Sequence, residues 1–146
     1  MTIRPATVED VDSILGMAAD FIGSTPYAAQ LAERPALLRG FVDRLVANDA
    51  GQILIATRGP VAVGMIALWL FEHPYSGEAT ASELVWWVNP SERGSLGVRL
   101  LKRAEQWARD RGAAVLQMIA PNDRVAAFYT ACGYGFVESS YARRLG

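Results

Sequence analysis

Apolar residues recur along the chain with two different periods, which separates predicted helices from predicted strands. Apolar side chains are spaced as on a helix face from Val11 to Ile22, within residues 27–48, and most clearly from Leu96 to Gly112. Pro35 marks a restart inside the second of these regions, and the glycine at position 112 ends the third. The pattern therefore predicts amphipathic helices that each bury one face.

Runs rich in β-forming residues lie between these helices. Gln52–Thr57 and Val61–Phe71 are separated by Arg58-Gly59-Pro60, a turn composition that predicts an antiparallel hairpin. The other predicted elements are the strands Thr2–Ala6, Ser82–Val88, Val115–Ala120 and Phe136–Leu145, and a helix that Asn122 caps and that continues through Cys132. The order β-α-α-β-β-β-α-β-α-β predicts an α/β fold, a mixed sheet with helices on both faces.

Length and composition narrow the class of protein. A chain of 146 residues predicts a single domain over residues 1–146, and a hydrophobic fraction of 51% is sufficient for one core. The 14 basic and 15 acidic residues form no basic stripe, so we expect no nucleic-acid partner. No leader sequence and no apolar run of about 18 residues is visible, so we expect a cytoplasmic protein without a membrane partner.

Few residues are available for metal or thiol chemistry. Cys132 is the only cysteine and His73 the only histidine, so an internal disulfide is excluded and a Cys/His zinc site is not expected. We therefore expect no metal, and the chemistry must come from other side chains.

The junction between the strand ending at Val88 and the helix starting near Leu96 has features of an anion site. Residues 89–98 enter the first helical turn, where backbone N–H groups are unpaired and carry partial positive charge. Glycines let the main chain approach an anion closely, and Arg93 adds a positive charge. A phosphate site and a plain strand-to-helix turn both fit this composition.

The same junction resembles the acyl-CoA loop of the GNAT superfamily of N-acetyltransferases. In that family Val-x-Pro ends a strand, and (Gln or Arg)-x-x-Gly-x-(Gly or Ala) opens the next helix. Val88-Asn89-Pro90 matches the first part, and Arg93-Gly94 with Gly97 matches most of the second. Counting forward from the proline places Arg93 at the family's first loop position, whereas counting back from Leu100-Leu101 places Glu92 there. The loop is thus one residue short.

A second segment resembles the later motif of this family. The motif is an Asn followed seven residues on by Tyr, then Gly and an aromatic residue, and Asn122, Tyr129, Gly133 and Tyr134 stand in this register. Two motifs in the right order are more specific than either alone. The resemblance implies a mostly antiparallel sheet that splays midway. It also implies an enzyme that moves an acetyl group from acetyl-CoA to a primary amine of a small molecule or peptide by direct attack.

The resemblance also implies roles for individual residues. A phenol with a pKa of about 10 stays protonated at neutral pH, so Tyr129 would protonate the departing thiolate, although it could equally be a core tyrosine bonded to backbone. Glu83 would be the base that deprotonates the amine, with Glu72, His73 or water as alternatives. The implied acceptor cleft is flanked by Phe21, Tyr27, Trp69, Phe71 and Tyr75. The implied cofactor-binding residues are Trp87 and Val88, through their main chain, Arg93, Gly94, Ser95, Leu96, Gly97, Val98 and Asn122.

Two other functions are considered besides the enzyme. A non-catalytic acyl-CoA-binding sensor or interaction module of the same fold is favoured by the short loop and disfavoured by the presence of Tyr129. A dinucleotide-binding domain is excluded because hairpin strands, and not alternating βαβ units, precede the glycine loop. A homodimer is an expectation from the family alone.

Overall fold

The computed structural model describes residues 1–146 without a break. The strands are β1 (Thr2–Pro5), β2 (Gly51–Arg58), β3 (Val61–Glu72), β4 (Ala79–Val88) and β5 (Val115–Gln117). The helices are α1 (Val11–Gly23), α2 (Tyr27–Gln30), α3 (Pro35–Ala47), α4 (Ser95–Asp110) and α5 (Asp123–Ala131). Short 3-10 turns at Val8–Asp10 and Pro90–Glu92 precede α1 and α4.

The five strands form one mixed sheet in the order β1-β2-β3-β4-β5. The first four strands are antiparallel neighbours, as the predicted hairpin requires. β5 runs parallel to β4 and pairs only with Thr80–Ser82, near the start of that strand. From Glu83 onward β4 therefore has a neighbour on one side only, and the sheet splays there.

Helices cover both faces of the sheet, which confirms the predicted α/β fold. On one face α1 and α3 enclose a core that includes Ile14, Ile55 and Met65. On the other face α4 packs on a second core that includes Ile66 and Leu100. None of the helices is both long and apolar enough to cross a membrane.

Local signals in the sequence set the helix boundaries as expected. The side chain of Asn122 caps α5 by accepting a hydrogen bond from the Val125 N–H at 3.0 Å. Pro35 occupies the first position of α3, where its missing N–H costs no helical bond. Gly112 and Gly133 follow α4 and α5 with φ of 77° and 90°, a conformation that glycine adopts without strain.

The last predicted strand, Phe136–Leu145, is wrong as a strand of this chain's sheet. The segment has no regular structure, and the side chains of Phe136 and Leu145 are 83% and 95% exposed. From the turn at Gly133 the chain takes a path that brings Arg144 to the Gln30 carbonyl at the end of α2. Alternating apolar and polar residues identify a segment that can form a strand, but they do not show which strand it would pair with. The path of residues 136–145 brings them beside no other strand.

Gly64 fixes the distance between β3 and β4 beside the splay. A Cβ atom at this position would lie 3.1 Å from the Trp87 carbonyl oxygen and 3.3 Å from Leu100 Cδ1. We expect Gly64→Ala to lower the free energy of unfolding by roughly 1–3 kcal/mol, because the backbone cannot move away. Urea unfolding measures this change.

Gly16→Ala in α1 is the matched control, because a Cβ there meets nothing within 4 Å. The same substitution should stabilise the helix by about 0.5–1 kcal/mol. Equal effects of the two substitutions would contradict the close packing assigned to Gly64.

Candidate active site

The second half of β4 presents main-chain groups to the opening in the sheet. The Asn89 N–H donates to the Val63 carbonyl at 2.9 Å, so residues 87 and 89 direct their main-chain groups toward β3. By alternation the main-chain groups of Trp86 and Val88 face the open side, where β5 has diverged. Of the two residues expected to contact a ligand through their main chain, Val88 has its groups on the open side and Trp87 has them on β3.

A β-bulge lies where the opening begins. Ala67 pairs with Val85 and Leu68 pairs with Glu83, so Leu84 is an extra residue on β4. A bulge re-aims the side chains that follow it and leaves one residue outside the ladder. Here it puts Glu83 on the face that carries α4 and α5, at the innermost point of the opening.

The Glu83 side chain is buried in surroundings that favour its neutral form. The residue is 2% exposed, and its Oε2 atom has no hydrogen-bond partner. Burial raises the pKa of Glu83 to about 8, and a backbone hydrogen bond from Ile119 opposes this rise. Glu83 thus exchanges a proton near neutral pH, which suits a general base.

Tyr129 lies beside Glu83. Its hydroxyl donates to the Ile119 carbonyl at 3.2 Å, and its ring stacks on Trp86 with centroids 5.7 Å apart. Burial raises the pKa of Tyr129, and the nearby charge of Glu83 raises it further. The two residues expected to act as base and acid are therefore brought together on the main chain of one residue, Ile119.

A cleft of about 460 Å³ leads from the splay to the start of α4. β4, the first turns of α4 and α5, and the end of α1 line it. The lining residues are Phe21, Ser24, Trp86, Trp87, Val88, Arg93, Gly94, Gly97, Val98, Pro121, Asn122, Arg124, Val125 and Phe128. They include every residue expected to bind the cofactor except Ser95 and Leu96.

The turn into α4 offers free backbone donors. Gly94 precedes the helix with φ 129° and ψ −125°, a conformation that favours glycine. The N–H groups of Ser95, Leu96 and Gly97 have no hydrogen-bond acceptor in the chain. Leu96 buries its side chain in the core, so it would act through its main chain alone. Such a helix start suits a phosphate group.

Arg93 and Glu92 point in different directions from the turn. The Arg93 Nε atom donates to the Val88 carbonyl at 3.1 Å, and its guanidinium lies 5.1 Å from the centroid of the Trp87 ring. Glu92 forms a two-point ion pair with Arg58, at 3.0 and 2.7 Å, outside the cleft. The structure thus places the positive charge of the loop in the cleft and its negative charge outside.

The alternative bases lie at the other end of β3. Glu72 pairs with Ala79, four residues before Glu83 and roughly 13 Å away along the strand. The His73 Nδ1 atom accepts a hydrogen bond from the Tyr75 N–H at 3.1 Å. The aromatic residues 69, 71 and 75 form a row of rings with this histidine and do not line the cleft, whereas Phe21 does.

Several residues of the cleft are not predicted from the sequence. Trp86 is not among the residues expected to bind the cofactor, yet it lines the cleft and stacks on Tyr129. Arg124 and Phe128 also line the cleft from α5. For Arg124 the available signal was its position directly after the Asn122 cap, because residues in a first helical turn can face an anion. No three His, Cys, Asp or Glu side chains are grouped so as to hold a metal ion.

Comparison with known proteins identifies the family to which the chain belongs. A profile of the acetyltransferase (GNAT) family matches residues 16–134. The chain belongs to this family. No curated protein has significant sequence similarity to it.

Solved structures share the fold over nearly the whole chain. A GCN5-related N-acetyltransferase from Ralstonia eutropha JMP134 is 21% identical, with a TM-score of 0.81 and 99% of each chain covered. A transcriptional regulator from Bacillus halodurans C-125 is 22% identical, with a TM-score of 0.79 and 99% of each chain covered. An aminoglycoside 6'-N-acetyltransferase from Acinetobacter haemolyticus is 19% identical, with a TM-score of 0.72, and covers 100% of this chain and 97% of its own. At these identities the likeness establishes the fold.

The raised pKa of Glu83 predicts a pH-dependent stability. A carboxyl group that keeps its proton to about pH 8 when folded, but to about pH 4.5 when unfolded, makes the free energy of unfolding fall as pH rises between these values. The slope approaches ~1.4 kcal/mol per pH unit, and the curve levels above pH 8. Urea unfolding from pH 5 to 9 should show this fall in the wild type and a nearly flat profile in Glu83→Gln.

The other carboxyls with shifted pKa do not contribute in this range. The pKa values of Asp10 and Glu92 are lowered by their arginine partners, so both groups titrate below the window. Parallel pH profiles of wild type and Glu83→Gln would show that the carboxyl is not held neutral by the fold.

Proposed function

We propose that the chain is an N-acetyltransferase that transfers the acetyl group of acetyl-CoA to the primary amine of a small molecule or peptide. One observation carries the proposal: Glu83 and Tyr129 lie together at Ile119, and Tyr129 stacks on Trp86, which lines a cleft whose outer end has the free N–H groups of α4. A proton acceptor, a proton donor and an anion site are what this reaction requires.

The cleft suits a long ligand with an anionic end. The N–H groups of Ser95, Leu96 and Gly97 would bind the diphosphate, with Arg93 and Arg124 supplying positive charge. The open main-chain groups of β4 would accept and donate to the amides of the pantetheine arm. The Asn122 amide nitrogen remains available, because its oxygen caps α5.

Glu83 is suited to activate the amine. An ammonium group has no lone pair, so a proton must leave before attack on the thioester. With a pKa of about 8, the Glu83 carboxylate is a stronger base than an ordinary glutamate and is still ionised in part at neutral pH. Its Oε2 atom has no other partner, so it is free to accept this proton, directly or through water.

Tyr129 is suited to protonate the leaving sulfur. The amine nitrogen bonds to the carbonyl carbon, the C–S bond breaks, and the electron pair leaves on sulfur. The phenol holds its proton because its pKa is raised, and its hydroxyl has only a 3.2 Å bond to Ile119 to give up. The acid and the base therefore have separate positions within one buried site.

The acceptor side is open to several amines. Phe21 and Ser24 of α1 line the cleft opposite α5 and would contact the acceptor. A protein of the same fold, the enzyme from A. haemolyticus, acts on an aminoglycoside, so a small polar amine is one acceptor class to test first. We place the reaction in the cytoplasm, where acetyl-CoA is available, with no metal, nucleic acid or membrane taking part.

A sensor that binds acyl-CoA without turnover is the alternative. The short loop favours it, and so does the similarity in fold to a protein described as a transcriptional regulator. In a sensor the Tyr129 hydroxyl would simply stay on the Ile119 carbonyl.

Calorimetry with CoA and a thiol-release assay with an amine panel test the proposal. We expect CoA to bind and at least one amine to release thiol above background. Tyr129→Phe should then slow turnover by roughly 10²-fold while leaving acetyl-CoA affinity nearly unchanged. The matched control is Tyr134→Phe, whose hydroxyl bonds to Glu105 at 3.2 Å and should not affect the rate.

The outcomes separate the two functions. Binding of CoA without thiol release from any amine would indicate the sensor. If CoA at millimolar concentration gives no heat of binding, both the enzyme and the sensor are contradicted. An unchanged rate in Tyr129→Phe would take this residue out of the mechanism.

Glu83→Gln should remove a step in the pH–rate profile. In the wild type we expect kcat/KM to rise with pH and to level near pH 8, because the base must be ionised. Glu83→Gln should lower the rate at pH 8 by roughly 10²-fold or more and abolish this step. The control Glu72→Gln, at the far end of β3, should keep both the wild-type rate at pH 8 and the step in the pH–rate profile. A retained step in Glu83→Gln would assign the base to another group.

A further inference from the structure

Four aromatic rings form a row along the end of β3 and the turn that follows it. Trp69 and Phe71 lie on the same face of β3 as Ala67, which packs in the core under α1 and α3, because alternate residues of a strand share a face. His73 and Tyr75 continue the row, with successive ring centroids 6.1, 6.1 and 4.9 Å apart. Trp69 is 42% exposed and Tyr75 is 86% exposed, so this aromatic row presents ring surface to solvent.

The inner end of the aromatic row lies at the opening in the sheet. Trp69 pairs with Ser82, and Ser82 pairs with Gln117, the last residue of β5. Beyond this level β5 leaves β4. Glu83 is the next residue of β4, and its side chain, on the other face of the sheet, has one oxygen without a hydrogen-bond partner. The aromatic row thus runs from the surface to within one residue of Glu83.

The surroundings of the aromatic row are acidic. Residues 61–88, which comprise β3, β4 and their connection, contain three glutamates, at positions 72, 78 and 83, and no lysine or arginine. The His73 N–H donates to the Glu78 carbonyl at 2.9 Å, so these two residues lie opposite each other and continue the register of the hairpin. Opposite residues share a face, which puts the Glu78 carboxylate beside the aromatic row. The outer end of the row therefore carries a negative charge that no basic residue of these strands balances.

The rings of the aromatic row carry no positive charge. The Nδ1 atom of His73 accepts a hydrogen bond from the Tyr75 N–H at 3.1 Å, so it holds no proton and the imidazole is neutral. The face of an uncharged aromatic ring is negative and attracts a cation placed over it. Rings and carboxylate together are complementary to a positively charged group.

We propose that the amine acceptor carries a second positive charge, which binds over the aromatic row while the reacting amine lies at Glu83. This inference rests on the proposed acetyl transfer and specifies its acceptor as a linear diamine or polyamine. The Trp69 ring holds the second cation nearest the opening, and a longer acceptor reaches His73 and Glu78. A monoamine would use the rings through apolar contact only and would leave the charge of Glu78 unbalanced.

The strand geometry sets the useful length of the acceptor. Glu83 and Glu78 are five residues apart, roughly 16 Å along β4. The level of Trp69 is only one residue from Glu83. Among straight-chain diamines, affinity should therefore rise with chain length while the second nitrogen moves along the row, and it should stop rising once that nitrogen passes Glu78.

Calorimetry and thiol release with matched acceptors test the inference. Each match is a straight-chain diamine and the monoamine with the same number of carbon atoms, titrated into the full chain in the presence of CoA. We expect the diamine to bind roughly 10-fold more tightly, beyond the statistical advantage of its two equivalent ends, because a desolvated cation–π contact contributes about this factor. The ratio of kcat/KM values should favour the diamine similarly.

Substitutions in the row separate the ring from its bulk and the charge from its position. Trp69→Leu should remove most of the preference for the diamine, whereas Trp69→Tyr should retain it, because tyrosine keeps a ring face. Glu78→Gln should reduce the preference for the longest diamines by roughly 2- to 5-fold. The matched control is Glu72→Gln, which removes the same charge on the opposite face of the sheet and should leave the preference unchanged.

The outcomes distinguish this inference from the proposed function. If no amine is acetylated, the acetyltransferase is contradicted, and the calorimetric comparison alone decides whether the row prefers a diamine. Equal affinity for diamine and monoamine would overturn the inference even if both are acetylated. Equal preferences in Trp69→Leu and Trp69→Tyr would also overturn it. If Trp69→Leu does not fold by circular dichroism, equal effects of Glu78→Gln and Glu72→Gln would do so instead.

Discussion

The hydrogen-bonding demand of one strand organises this protein. β4 has β3 beside it over its full length, but β5 follows it only at Thr80–Ser82. Main-chain groups that lose a strand neighbour need another partner, which is the Arg93 side chain for the Val88 carbonyl and water or a ligand for the others. The splay therefore exposes main-chain polar groups of Trp86 and Val88 on the side of the sheet where β5 has diverged. Gly64 sets the spacing of β3 and β4 behind this opening.

A layer of aromatic side chains lies beside the same opening, with Tyr129 buried within it. The rings of Trp86, Phe128, Tyr129 and Tyr134 contact one another at centroid distances of 5.7–6.2 Å. Removal of water raises the pKa of Glu83 and of Tyr129 together. One environment thus makes the carboxylate a better proton acceptor and keeps the phenol protonated.

Features fixed by neighbours in the sequence were predictable, and features fixed by strand register were not. The Asn122 cap, the Pro35 start and the turn at Gly133 depend on a few adjacent residues, and the structure confirms them. The two motif segments, at the starts of α4 and α5, are likewise defined by adjacent residues, and both lie at the cleft. The bulge at Leu84 depends on how β4 aligns with β3. The sequence alone therefore could not predict on which face of the sheet the Trp86 side chain lies. The segment after α5 shows the same limit, because an alternating pattern names no neighbour.

The ion pair between Arg58 and Glu92 has an electrostatic consequence. Glu92 is the only carboxylate in the turn before α4, and without a partner its charge would repel an anion bound at the helix start. Arg58 on the adjacent hairpin neutralises it from outside the cleft. Because this pair is solvent-exposed, dissolved salt screens it, and the same ions screen the attraction of the helix start for phosphate. Because the two opposite charges nearly cancel at the distance of the helix start, the salt dependence of anion binding reflects the helix start and the arginines of the cleft, and not Glu92.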